Sequence, residues 1–188
     1  MAQSKFKRDI FYFLIIAILA GTCGWFYYGY HFKPASEREV KVYYNHDTQA
    51  NEKIIRTIQD ADQFVYFAIY TFTRQDIADA LLGAKHRGLK VAGIVDRKQA
   101  TSLDSQKDLV TELQKSGIDI VFNDHNYIMH LKTVVTDNGY VSGSYNWTAA
   151  ATDNNDEIIE VGRDETIRKQ YEQTLKEIIE KYRALSPD

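Results

Sequence analysis

The triplet His130-Leu131-Lys132 lies in the largely apolar run Met129–Thr136, which reads as a β-strand. Strand alternation puts residues i and i+2 on one face, so the imidazole of His130 and the ammonium of Lys132 are expected to point together. An imidazole titrates near neutral pH and serves as nucleophile, acid or base, while a cation beside it offsets negative charge that develops on an anionic substrate. A second segment, Gly143-Ser144-Tyr145-Asn146, follows a hairpin signal, and by the same alternation Ser144 and Asn146 share a face. Hydroxyl and amide donors beside a histidine and a lysine suit a phosphate or an oxyanion. His31, His46, His86 and His125 stand in no such company and read as ordinary polar positions. The single cysteine, Cys23, can form no disulfide within the chain, and no cluster has metal-ligand spacing, so neither metal nor other cofactor is expected.

Two kinds of element must position these residues. β-rich runs at Val40–Tyr44, Phe64–Thr71, Lys90–Val95 and Ile118–Phe122 alternate with helical patterns at Gln49–Ala61, Gln75–Arg87 and Ser105–Ser116. That βα rhythm predicts a mainly parallel sheet flanked by helices. Gly88 and Gly117 each close a helical pattern, where a residue tolerating positive φ ends a helix at low cost. The rhythm then changes: Met129–Thr136, a turn at Asp137-Asn138-Gly139, Tyr140–Ser142, Ile158–Val161 and a last helix over Glu165–Leu185. Asn-Gly between two apolar runs is a strong hairpin signal. No internal repeat occurs, so one copy of the site is present per chain.

The first residues follow a different logic. Lys5, Lys7 and Arg8 lie in a basic flank, 1–9, ahead of the uncharged run Ile10–Tyr30, which is long enough to cross a bilayer and ends in Trp25, Phe26, Tyr27 and Tyr28, suited to the interface. The same run fits a signal peptide, its densest apolar part being Ile10–Ala20, with small residues Ala20, Gly21 and Thr22 after it. Residues 31–39, with Pro34, read as a linker, and 40–188 as the remaining domain. A positive cluster kept inside puts that domain on the non-cytoplasmic side, in the periplasm or outside the cell if the source is bacterial. Hydrophobic residues make up 44% and charged residues 26% of 188, which excludes a disordered or low-complexity chain, and the net charge of -3 leaves any polyanion partner to a local patch.

His130-x-Lys132, four further residues to Asp137, and then Gly143-Ser144-x-Asn146 resemble the HKD motif of the phospholipase D superfamily. Phe67–Thr73 and Ala84–Val91 also look like that family's upstream strand and helix-strand joint. The spacing departs from the family's in one place: five residues, Asn138 to Ser142, separate Asp137 from Gly143 where six are usual. Such a shortening flips a strand face unless a turn or bulge absorbs it.

The resemblance implies a metal-independent phosphodiesterase with His130, Lys132, Asn146 and Glu157 as catalytic residues. Lys132, Ser144 and Asn146 would hold the phosphate, Gly143 would be structural, and Asp137 would orient the lysine. Glu157, which follows the polar stretch Thr152–Asp156, resembles the acidic partner that accepts a hydrogen bond from the catalytic histidine. Members with one motif resemble half of a two-motif enzyme and pair about a two-fold axis, so a homodimer with a shared site is expected, forming a phosphohistidine. The small size resembles the bacterial endonuclease and mitochondrial membrane-anchored branches. Nucleic acid is therefore the expected substrate, phospholipid of the cardiolipin kind the alternative, and an inactive membrane-bound scaffold a third reading. Arg74, Lys85, Arg87, Lys90, Arg97 and Lys98 are the candidate basic rim.

Overall fold

The computed structural model describes residues 2–31, 39–46 and 49–185. It divides into two units, Met1–Arg38 and Glu39–Asp188. The first holds a single helix among the described residues, α1 (Ala2–His31), whose stretch Ile10–Tyr27 has a mean hydropathy of 2.0. By length and composition that stretch can cross a membrane, a test that a signal sequence also passes. The expected linker falls largely on residues outside those described.

The second unit runs β1 (Val40–Tyr44), α2 (Ala50–Gln59), β2 (Phe64–Ile69), α3 (Gln75–His86), β3 (Lys90–Val95), α4 (Arg97–Ser102), α5 (Asp104–Lys115), β4 (Asp119–Phe122), β5 (Lys132–Thr136), β6 (Tyr140–Gly143), α6 (Ala149–Asp153), β7 (Ile158–Gly162) and α7 (Glu165–Leu185). All seven strands join one sheet in the order β1-β7-β6-β5-β2-β3-β4. The sheet is mixed and flanked by helices, but parallel pairing is confined to β2-β3-β4. The other four pairings are antiparallel. The expected parallel majority therefore gives way to an antiparallel one. The physical reason is connection length: helices cross between β2, β3 and β4, whereas β5 and β6 are joined by a tight turn that permits only antiparallel pairing.

β2 is central and buried on both faces. Val65, Phe67 and Ile69 pack under α2, α3 and α5 with Ile54, Ile58, Ile77, Leu81 and Leu113. Tyr66 and Ala68 face the opposite layer with Val135, Tyr140 and the α7 residues Leu175 and Ile179. Gly88 and Gly117 have φ of 86° and 85°, the left-handed caps their positions predict.

Two short helices escape sequence patterning because side chains at their N-caps, not apolar periodicity, start them. Asp96 accepts from Gln99 N at the head of α4, and Thr148 from Ala151 N at the head of α6. The shortened hairpin keeps an unbroken register, Thr133↔Ser142 through Val135↔Tyr140, so no face is flipped. A turn centred on Asp137-Asn138 absorbs the missing residue, with the Thr136 hydroxyl accepting from the backbone N–H of both Asn138 and Gly139. Gly139 is not in the left-handed region, so the turn is not the one Asn-Gly usually signals. Glycine also avoids a tight approach there, since a Cβ would sit 3.1 Å from the Gly162 carbonyl oxygen.

Candidate active site

β5 begins at Lys132, three residues later than patterning predicts. Met129 gives its backbone N–H to the Asp96 carboxylate at 2.9 Å, which takes it out of the ladder, and only Leu131 O, accepting from Tyr70 N, carries the β2–β5 pairing past the strand end. His130 is thus held just outside the sheet, exposed to solvent, while Lys132 is 6% exposed. Both nevertheless meet at one ring. The His130 imidazole lies 4.8 Å from the Tyr70 ring centroid, and Lys132 Nζ stands 5.4 Å from that same centroid. Lys132 Nζ also donates to the His130 carbonyl oxygen at 2.8 Å. Burial lowers the Lys132 pKa below the ordinary lysine value, and the nearby Glu157 charge partly opposes that shift.

Gly143 stands where the chain leaves β6 for the site. A Cβ there would lie 2.1 Å from the Ile158 carbonyl oxygen, so only glycine allows β6 and β7 this close. From Ser144 the chain crosses over the end of β2: Trp147 N donates to Thr71 O at 3.0 Å, and Trp147 O accepts from Thr73 N and Arg74 N. Although this segment is not a strand, its burial alternates, with Tyr145 and Trp147 each 1% exposed and Ser144 and Asn146 facing outward. The predicted sharing of a face by Ser144 and Asn146 survives the loss of the strand.

Their roles diverge. The Ser144 hydroxyl donates to the Glu157 carboxylate, and its backbone N–H donates to Ile158 O, so neither donor is left for a phosphate. Glu157 is buried and also receives Asn155 Nδ2 at 3.1 Å, while its backbone N–H goes to Asn45 Oδ1 at 2.9 Å. Within one chain the Glu157 carboxylate is therefore engaged by Ser144 and Asn155 rather than by His130. Asn146 is the opposite case: its Oδ1 is buried without a hydrogen-bond partner among the described residues. An unsatisfied buried amide costs about 1–3 kcal/mol, and its oxygen and nitrogen ends are interchangeable by a flip, so this side chain is poised to be satisfied by a ligand.

Asp137 departs furthest from expectation. It lies at the other end of β5, five residues or roughly 16 Å from Lys132. Its carboxylate collects the backbone N–H groups of Asp62, Gln63 and Phe64 at 3.0–3.3 Å, pinning the start of β2, and so does not orient the lysine. The expected basic rim divides: Arg74, Arg97 and Lys98 follow the carboxyl ends of β2 and β3, and Lys85, Arg87 and Lys90 lie at the opposite end of β3. Arg74 forms a fork with Asp76, Arg87 caps the carbonyls of Ile58 and Ala61, and Arg97 binds Asn123, while Lys85 and Lys90 sit at the α3–β3 joint away from Tyr70. Tyr70 was not singled out by sequence; its signal is position, at the carboxyl end of a parallel strand where open α/β sheets bind ligands.

The model of the family described as "Cardiolipin synthase, PLD-like domain" matches residues 54–179. The chain is 28% identical over 143 residues to a phospholipase D of Rickettsia typhi, covering 76% of this chain and 69% of that one. It is likewise 28% identical over 144 residues to the mitochondrial cardiolipin hydrolase of Xenopus tropicalis, covering 76% and 67%. Among solved structures it resembles Nuc, a phospholipase D family member from Salmonella typhimurium, with a TM-score of 0.67 and 27% identity over 74% of this chain and 92% of that one. With the family matched over residues that include His130 and Lys132, the chain belongs to the phospholipase D superfamily and is a phosphodiesterase.

Proposed function

We propose that the protein is a metal-independent nuclease that cleaves nucleic-acid phosphodiesters in a site shared by two copies of the chain. The observation that carries this reading is the convergence of His130 and Lys132 on Tyr70, together with Asn146, whose Oδ1 is buried without a partner among the described residues. One His130 attacks phosphorus through an imidazole nitrogen, the P–O bond to the leaving group breaks, and the partner subunit's His130, as imidazolium, gives the leaving oxygen its proton. The now neutral partner imidazole takes a proton from water, the hydroxide attacks phosphorus, and the P–N bond breaks. Lys132 and Asn146 from both chains offset charge on the equatorial oxygens. One motif histidine per chain is the reason for a dimer, since the two steps need a nucleophile and an acid at one phosphorus.

Nucleic acid is favoured because the chain matches nearly the whole of Nuc, so a compact one-motif domain suffices. The phospholipid reading has its own support in α1 and in the apolar lip Tyr127, Ile128 and Leu131, which are 69%, 50% and 40% exposed around His130. In either case α1 would tether the domain on the non-cytoplasmic side. Purified protein in excess EDTA should cleave labelled single-stranded DNA, duplex DNA or RNA, and the His130→Ala variant should not. Cleavage of cardiolipin vesicles alone would replace nucleic acid with lipid as the substrate, and activity that requires added magnesium or zinc would overturn the chemistry.

A further inference from the structure

Tyr70 is held at three points. Its backbone N–H donates to Leu131 O at 2.9 Å, its carbonyl accepts from Gln106 Nε2 at 3.2 Å, and its hydroxyl accepts from Gln99 Nε2 at 3.0 Å. Gln106 is fully buried and also receives Phe72 N at 2.9 Å, so it serves this one segment. Gln99 belongs to α4, whose first turn is fixed by Asp96, itself 1% exposed. One Asp96 oxygen takes Gln99 N at 3.0 Å and the other takes Met129 N at 2.9 Å. Asp96 therefore anchors both the residue that holds the Tyr70 hydroxyl and the residue that precedes His130. The result is a closed loop of contacts: Asp96 to Gln99 to Tyr70 to His130, and back through Met129.

The geometry points to Tyr70 as a positioning residue for the phosphodiesterase site, its ring setting the poses of His130 and Lys132 and its own pose set by Gln99 on α4. This inference rests on the assignment of His130 as the nucleophile. A buried carboxylate and two glutamines converge on one half-buried tyrosine, which is more than packing requires, because the ring is covered by its contacts with His130 and Lys132 without a bond to its hydroxyl. The hydroxyl oxygen lies on the ring axis, so the anchor fixes where that axis points and hence the place of the ring against which His130 and Lys132 lie. Its value lies in the transition state, where misplacing a reacting group by about 1 Å costs on the order of 10²-fold in rate. Tyr70 thus acts on turnover and not on substrate affinity.

The test combines kinetics with a readout that needs no turnover. With bis(p-nitrophenyl) phosphate as probe, Tyr70→Leu should lower kcat by about 10–100-fold with KM unchanged. Tyr70→Phe and Gln99→Leu both remove the bond between Gln99 Nε2 and the Tyr70 hydroxyl, and Gln99→Leu also removes the long bond from the Thr71 hydroxyl to Gln99 Oε1 at 3.4 Å, so each should give a smaller loss than Tyr70→Leu and the double variant no more than Gln99→Leu alone. In histidine side-chain NMR spectra, with the His130 signal assigned by its disappearance in His130→Ala, Tyr70→Leu should remove a ring-current shift. Gln99→Leu should move the same signal in the same direction. Should Tyr70→Leu fail to fold, Tyr70→Phe and Gln99→Leu decide the matter. A His130 signal unmoved by Gln99→Leu, independent losses in the double variant, or a rise in KM at constant kcat would each overturn the proposal. Absence of any phosphodiesterase activity in the wild type would instead count against the functional reading, and the NMR arm would still decide the role of Tyr70.

Discussion

The two ends of β5 carry residues of one sequence motif and behave as different materials. At the Lys132 end, a charged side chain is buried beside an aromatic ring, a histidine is thrust out of the sheet, and an amide oxygen is left without a partner. At the Asp137 end the side chains are spent on the backbone: the carboxylate takes the N–H groups of Asp62, Gln63 and Phe64, and the Asn138 amide reaches Asp60 O at 2.6 Å. The first end holds unspent bonding capacity, and the second uses its side chains to fix the backbone. A motif read along the chain therefore mixes chemistry with architecture, and a strand's rise of roughly 3.3 Å per residue is what separates them.

Mutating the most reactive group gives the largest contrast between the ends. His130→Ala should lower turnover by on the order of 10⁴-fold or more, leaving what binding and orientation alone supply, with the fold intact because the side chain is exposed. Mixing that variant with wild-type chains sharpens the point. If two histidines serve one phosphorus and subunits exchange freely, activity follows the square of the wild-type fraction, whereas a linear fall would mean independent sites.

Lys132→Ala comes next. It leaves the nucleophile in place but removes a preorganised cation, a loss expected to cost on the order of 10²–10³-fold in kcat. Retention of near-wild-type kcat would move the chemistry away from this end of β5. Asp137→Ala should do the reverse, leaving kcat close to wild type while freeing three backbone N–H groups and lowering stability by about 1–3 kcal/mol, measured by denaturant unfolding. A large kcat loss at unchanged stability would abolish the distinction between the ends.

The sequence is most legible where a signal is local. The helices α2, α3, α5 and α7, the glycine caps at Gly88 and Gly117, and the adjacency of His130 and Lys132 all follow from spacing and residue type. It is least legible where a contact depends on strand register or on a single side-chain bond. That Asp137 reaches Asp62 and not Lys132 is decided by the β2–β5 register, Val65↔Thr136 to Ile69↔Lys132, which periodicity within either strand cannot supply. The antiparallel pairing of β1 with β7 likewise joins opposite ends of the domain. The late start of β5 depends on one buried carboxylate, Asp96, which gives no pattern in the sequence. The Ser144 hydroxyl, legible as a donor, is spent on Glu157, a partner that only the β6–β7 approach brings near.

The smallest expected effect tests how the reactive end keeps its charge. Lys132 is pulled in two directions: burial favours the neutral amine and lowers its pKa, and the Glu157 carboxylate favours the ammonium and raises it, with burial the larger. An amine without its proton offsets no charge on a phosphate, so activity that depends on Lys132 should have an alkaline limb below the ordinary lysine value. Glu157→Gln keeps an oxygen that can accept the Ser144 hydroxyl but deletes the opposing charge, leaving burial less opposed. The sign follows: the Lys132 pKa falls further, and the alkaline limb of kcat moves to lower pH, while the rate on the plateau below that limb changes little. If instead the limb stays in place and the plateau collapses, Glu157 serves the reaction through some other group, the partner subunit's His130 being the one the shared-site reading supplies.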